Sequence, residues 1–232
     1  MNAQNVSKSA QPVLHRRRFL EAMAILPIAA CTTSPVLTSA LRNARIAAVG
    51  FPDAPVTRAQ VDALPYATVF ARIGKGPRSL LVLAEADPPE LRWLSADNAM
   101  LVTRSGRIVK TAGLPDDLSG TRFPRGGDMV GRSAGELTGV LQTRLIDLKF
   151  RFQYGTPVSS YFTIDGHEQI IILEQSHDTL RVSEQNHCPQ LDWKFNNTWW
   201  IDPATGFVWK SLQWLTPDMP VFEMAVLKPA AV

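Results

Sequence analysis

The stretch Trp199-Trp200-Ile201-Asp202-Pro203-Ala204-Thr205-Gly206-Phe207-Val208-Trp209-Lys210-Ser211 reads as strand, turn, strand. Aromatic and β-branched residues on either side favour extended backbone, because their side chains pack well on a pleated surface. Between them, Asp202-Pro203 opens a turn and Gly206 supplies the positive φ that closes it. Neighbouring side chains of a strand point to opposite faces, so Trp199 and Trp200 cannot share one core. One of them is expected inside, the other outside, in a groove or against another layer.

The same rhythm runs outward in both directions. Toward the C-terminus, a turn at Thr216–Pro220 leads to a strand at Val221–Leu227. Toward the N-terminus, Leu191–Phe195, Thr179–Gln185, Glu168–Gln175, Ser159–Ile164 and Leu145–Tyr154 read as strands, with Asp165-Gly166 as a turn. Further back, Tyr66–Ile73 alternates, with Tyr66, Thr68, Phe70 and Arg72 on one face. Ser79–Ala84, Leu91–Leu94, Ala99–Thr103 and Arg107–Thr111 follow, joined by short turns such as Lys75-Gly76-Pro77 and Ser105-Gly106. Connections this short join antiparallel strands. Gly113–Gly135 breaks the pattern and is expected to be a long loop with one helical turn near Asp116–Leu118. A loop that long in a compact domain is often functional. Thr57 and Gln60 form a capping box for a short helix that ends before Pro65. The expected fold is all-β. It is an antiparallel meander of roughly ten to twelve strands, forming a β-sandwich or partly open barrel with one short N-terminal helix.

An export signature precedes this domain. Arg16 and Arg17, then Phe19 and Leu20, match a twin-arginine signal, although His15 and Glu21 replace its usual hydroxyl and lysine. The apolar run Ala22–Ala30 is too short to span a bilayer, which needs about 20 residues. It ends in Ile28-Ala29-Ala30-Cys31, a lipobox pattern in which the thiolate of Cys31 takes a diacylglycerol. The expected organisation is a signal peptide at 1–30, a flexible tether at 31–55 and a single all-β domain at 56–232. The tether would let the domain stand off a membrane to which the lipid anchors it.

The chain is basic on paper, with net charge +3, which would invite nucleic-acid binding. Four of its basic residues, Lys8 and Arg16–Arg18, and only one acidic residue, Glu21, precede Cys31, so the rest is balanced. That removes the case for a nucleic-acid partner. The remaining charge is uneven: Arg104–Arg151 is rich in arginine and Phe152–Val232 in carboxylates, and the two are expected to pair within the fold. With Cys31 acylated, Cys188 has no disulfide partner and reads as a buried small apolar residue.

The Trp199–Ser211 segment resembles the YjbF/GfcB (YmcC) lipoprotein family. Pro217-Asp218-Met219-Pro220 and Val226-Leu227-Lys228-Pro229 are similar to that family's ending. Leu64-Pro65-Tyr66-Ala67, Ala71–Arg78 and Leu94–Thr103 are similar to its first strands. The resemblance implies a bacterial envelope lipoprotein of all-β fold, tied to group 4 capsule or exopolysaccharide machinery, with no established catalytic residues. Thr32, rather than Asp, after the acylated cysteine fits sorting to the outer membrane, with the domain facing the periplasm.

Catalytic patterns are weak by comparison. His167, His177 and His187 recur every ten residues, which is not a metal-ligand spacing. Ser159, Ser160, Asp165 and His167 supply hydrolase residue types without a nucleophile elbow. Glu168, Glu174, Asp192, Asp202 and Glu223 include no pair that sequence places at glycosidase separation. No cofactor or metal is expected. Trp199, Trp200, Trp209 and Trp214 are the candidate contacts for glycan or a partner protein, because aromatic faces stack on sugar rings. The reading is a non-enzymatic lipoprotein assisting capsule or exopolysaccharide assembly or export, by binding polysaccharide or a polysaccharide-export protein. A periplasmic glycan-modifying enzyme and a lipid or glycolipid carrier are the alternatives.

Overall fold

The computed structural model describes Asp53 and residues 56–231. Its frame is one sheet of twelve antiparallel strands. They are β1 Thr68–Ile73, β2 Ser79–Asp87, β3 Glu90–Ser95, β4 Met100–Arg104, β5 Arg107–Ala112, β6 Leu118–Arg122, β7 Leu141–Leu148, β8 Gln153–Ile172, β9 Gln175–Cys188, β10 Trp193–Ile201, β11 Val208–Gln213 and β12 Phe222–Lys228. Their order is β5-β4-β3-β2-β1-β12-β11-β10-β9-β8-β7-β6. Every strand but those at the ends pairs with its sequence neighbours, β1 pairs with β12, and the two ends, β5 and β6, are themselves consecutive. The sheet is therefore a nearly closed barrel, with a seam between β5 and β6 that no backbone ladder seals. Side chains stitch one end of the seam. Thr111 Oγ1 donates to Asp117 at 2.8 Å, the same carboxylate accepts from the amides of Gly113 and Leu114, and Leu118 N donates to Thr111 Oγ1.

Alternation sorts the strands into inside and outside. Along β8, β9 and β10 the inward residues step through three layers. Phe162, Val182 and Trp199 belong to one apolar cluster. Ser160, Glu184 and Asn197 form a polar layer. Val158, Cys188 and Phe195 belong to a second, larger apolar cluster that also takes in Val69, Leu81, Trp93 and Met224. Full burial of each such side chain stabilises by about 1.5–3 kcal/mol. The first cluster is capped by the segment between β6 and β7, which buries Val130 and Leu137. This plug contains a short helix, α2 (Ala134–Leu137), started by a capping box between Ser133 and Glu136. Gly206 presses against the plug. A Cβ there would meet the Gly131 carbonyl oxygen at 2.8 Å, and its φ of +76° is one that glycine alone adopts freely.

A third cluster lies outside the barrel. Strands β8 and β9 outrun their neighbours, and the tip of their hairpin packs on the outer surface. Ile170 and Ile172 pack there with Trp200, Ala225, Leu227 and Val61 of helix α1 (Arg58–Ala63). Arg58 ties the pieces together, donating to Leu227 O at 2.8 Å and to Leu173 O at 3.4 Å.

Several sequence expectations hold and several are corrected. Helix α1 starts at the Thr57–Gln60 capping box. The Asp165-Gly166 turn is instead a bulge inside β8, and the chain reverses at Leu173-Glu174, both at positive φ. Leu145–Tyr154 is not one strand. It splits around a turn at Lys149–Phe152, where Phe152 takes φ +50°. Conversely, Leu191–Phe195 and Trp199–Ile201 merge into β10. The loop expected at Gly113–Gly135 contains β6 and ends in α2, and the helical turn expected at Asp116–Leu118 is absent. The basic middle and acidic end of the chain do pair: Arg107 and Arg144 with Glu184, and Arg151 with Asp218.

Candidate functional site

The interior polar layer is a closed ionic network. Glu184, fully buried, accepts from both arginines through one oxygen, Arg107 at 3.0 Å and Arg144 at 2.9 Å. Its other oxygen accepts from Arg107 at 3.2 Å, Asn197 at 2.9 Å and Trp199 Nε1 at 3.2 Å. Arg107 also grips Asp128 of the plug, at 2.6 Å through Nε, and lies over the Trp199 ring. Arg144 donates to Ser160 and Asn186 and sits above Phe195. Two cations meet two anions, so the layer is neutral. Burial pushes the Glu184 carboxyl up, but Arg107 and Arg144 outweigh it and hold its pKa at about 2. Burial pulls Arg144 down to about 10, against the support of Glu184. A carboxylate held this low and enclosed by donors is a poor general acid.

The outer surface is more accessible. The four candidate tryptophans do not converge. Trp199 is inside, Trp200 lies outside beneath the hairpin tip, and Trp214 is half-buried against the larger interior cluster. Trp209 is the extra residue of a bulge opposite Trp200 and Ile201. It stacks on His177 of the hairpin tip, ring centroids 3.8 Å apart, and meets the exposed Phe207 edge-on at 4.8 Å. These three rings form an aromatic ladder. Phe207 also borders a mostly apolar cavity of about 400 Å³ at one mouth of the barrel, walled by Pro88, Leu91, Trp93 and Met224. Sequence reasoning missed His177 and Phe207 as ladder members. The hairpin register brings His177 to Trp209, and no sequence spacing announces that.

The other sequence candidates scatter. His167 and His187 are exposed and lie along different parts of the hairpin from His177. The Ser160 hydroxyl is held by Arg144 and Asn186, and Asp165 accepts from Ser183. Asp202 caps its own turn, accepting from Ala204 and Thr205. Among the described residues, no group of three His, Cys, Asp or Glu side chains is placed to hold a metal. Cys188 is buried and unbridged. Cys31, Arg16, Arg17, Phe19 and Leu20, and all of the tether but Asp53, lie outside the described residues.

Comparison with known proteins places this geometry. The family described as group 4 capsule polysaccharide lipoprotein GfcB, YjbF matches residues 41–227. The chain is 34% identical to the uncharacterized lipoprotein GfcB of Escherichia coli K12 over 182 residues, covering 77% of this chain and 83% of GfcB. It is 27% identical to the uncharacterized lipoprotein YjbF of the same organism over 183 residues, covering 78% and 84%. The crystal structure of the hypothetical lipoprotein YmcC from E. coli K12 superposes with a TM-score of 0.68 at 31% identity, over 86% of this chain and 98% of that one. With the match running from the tether through nearly all of β12, the chain belongs to the GfcB/YjbF family of group 4 capsule polysaccharide lipoproteins.

Proposed function

We propose that this protein is an outer-membrane lipoprotein, acylated at Cys31, whose barrel faces the periplasm and assists assembly or export of a capsule or exopolysaccharide. It acts by binding glycan and performs no chemistry on it. The observation that carries this reading is the His177–Trp209–Phe207 ladder. A cluster of partly exposed aromatic rings at a barrel surface suits the C–H faces of sugar rings, which need contact area and few fixed hydrogen bonds. The commitment of Glu184 and Asp128 to arginines supports a binder over a hydrolase.

Two experiments test the reading. Affinity electrophoresis of the full-length protein through gels containing the producing organism's extracellular polysaccharide measures retardation. Trp209→Ala should weaken it about tenfold, the equivalent of about 1.4 kcal/mol. Wild type running unretarded rejects glycan binding. Uptake of a fluorescent fatty acid into the 400 Å³ mouth, without glycan retardation, would favour the carrier reading instead. The second experiment addresses the anchor. Cys31→Ser should abolish labelling by a palmitate analogue and move the protein from the membrane to the soluble fraction. Unlabelled, soluble wild type rejects acylation.

A further inference from the structure

Beneath the hairpin tip, on the outer face of β1, β12 and β11, lies a cleft of about 140 Å³. Three cations converge on it from two strands and a turn: Arg72 of β1, Lys210 of β11, and Arg78 just before β2. They share a single carboxylate, Glu223 of β12. Arg72 pairs with it directly, Lys210 Nζ is 3.2 Å away and Arg78 Nη2 is 3.8 Å away. Asp53, 3.8 Å from Arg78, is the other anion at the rim among the described residues, so their cluster keeps a net positive charge. Arg58, itself paired with Asp62 at 3.6 Å, donates from behind to the carbonyls of Ile172 and Leu173, both of which line the cleft.

Two further features distinguish this cleft from a solvated surface ion pair. The Nε of Arg72 is buried and has no hydrogen-bond partner among the described residues. A buried guanidinium donor without an acceptor is costly, and a ligand oxygen that reached it would remove that cost. The lining, moreover, is partly apolar: Phe70 flanks Arg72 on the same face of β1, Ile171 and Ile172 of the hairpin tip also border the cleft, and Lys210 lies over the Trp200 ring at 4.9 Å. Burial pushes the Glu223 carboxyl up, but Lys210 and Arg72 hold it below its ordinary range, so it stays a fixed anion.

We propose that this cleft binds the carboxylate of an acidic sugar, a uronic acid residue of the bound glycan, with its ring against Phe70 and Ile171 and its carboxylate between Arg72, Arg78 and Lys210. The assignment rests on the glycan-binding reading and adds the charge class of the glycan. The arginine fork suits the two oxygens of a carboxylate. The cleft has room for one ring substituent and its anionic group, and none for a long acyl chain.

The test uses full-length protein labelled with ¹⁵N at arginine. Titration with a glucuronate-containing hexasaccharide should shift the Arg72 Nε–H resonance, and a neutral glucan hexasaccharide of equal length should leave it in place. The double variant Arg78→Gln/Lys210→Gln leaves the Arg72–Glu223 pair intact and should keep the wild-type melting temperature. It should weaken acidic-oligosaccharide binding at least tenfold while leaving polysaccharide retardation by the aromatic ladder in force. Binding of the acidic oligosaccharide should also fall as salt is raised, because the attraction is between partly exposed charges. Equal binding of acidic and neutral oligosaccharides, or full binding by the double variant, overturns the cleft assignment while glycan binding at the ladder stands. A shift produced by inorganic phosphate and by neither oligosaccharide overturns it in favour of a phosphate site.

Discussion

Glu184→Leu should lower the free energy of unfolding by about 3–5 kcal/mol, measured by urea denaturation. The side chain is fully buried and, among the described residues, is the only carboxylate with which Arg144 pairs. Removing it strands Arg144 in the barrel with two neutral partners and leaves the donors of Asn197 and Trp199 facing an alkyl group. Arg107 retains Asp128, so the plug stays attached, and the loss is expected to concentrate on β7–β10. Replacing Glu184, both arginines and Asp128 together by apolar residues need not be costly, because the desolvation of all four buried charges disappears with them. The same residue governs the acid limb. Its pKa falls from an ordinary 4.5 to about 2 on folding, so its contribution is complete above about pH 4.5 and is lost as pH falls through about 2. That difference is worth about 3 kcal/mol. Glu184→Gln should flatten this part of the stability-versus-pH curve. An unchanged acid limb in that variant would assign the titration elsewhere.

The second large effect is expected at Trp200. Trp200→Ala removes the largest side chain of the outer cluster and should cost about 3–5 kcal/mol. Its Nε1 is buried with no hydrogen-bond partner among the described residues, so truncation costs packing and no hydrogen bond. Trp200→Phe should therefore recover most of the loss. Amide exchange tells this from a general weakening. Ile170–Gln175, at the tip, should lose protection before Val182–Asn186, which stay paired with β8 and β10. Uniform loss across both segments would mean that the tip is not a separate unit. The hairpin tip also roofs the basic cleft, so this variant should weaken acidic-oligosaccharide binding as well.

Much of the frame was legible because alternation and turn chemistry are local. The Asp202–Gly206 turn, the Thr57–Gln60 cap and the opposite placement of Trp199 and Trp200 all follow from neighbours in sequence. The misread points share a cause. At Leu173-Glu174 a two-residue hairpin loop turns through positive φ at both positions, the geometry that matches strand twist, but without the glycine or asparagine that would announce it in sequence. At Asp165-Gly166 the glycine marks a bulge, because β9 continues unbroken opposite it. Strand β6, with Ser119 and Gly120 at its centre, has little intrinsic strand character and is held by its pairing with β7. The Ser133–Glu136 cap is a local signal, but it opens only a four-residue helix among glycines that obscure any periodicity. At the site, sequence could nominate tryptophans but not their partners. His177, Glu184 and the cations around Glu223 are brought together by register between strands far apart in the chain, and periodicity carries no information about which inward or outward positions become neighbours.

The pairing of β1 with β12 bears on the order in which the molecule is made. The first and last strands are adjacent in the middle of the sheet, not at its edges. A chain emerging from its N-terminus first can form the β2–β5 and β6–β11 meanders early, but these two half-sheets have no ladder between them until β12 arrives and zips Ile73–Thr68 to Phe222–Lys228. A chain interrupted before Phe222 therefore lacks its keystone, not a fringe. Completion of this fold waits on β12.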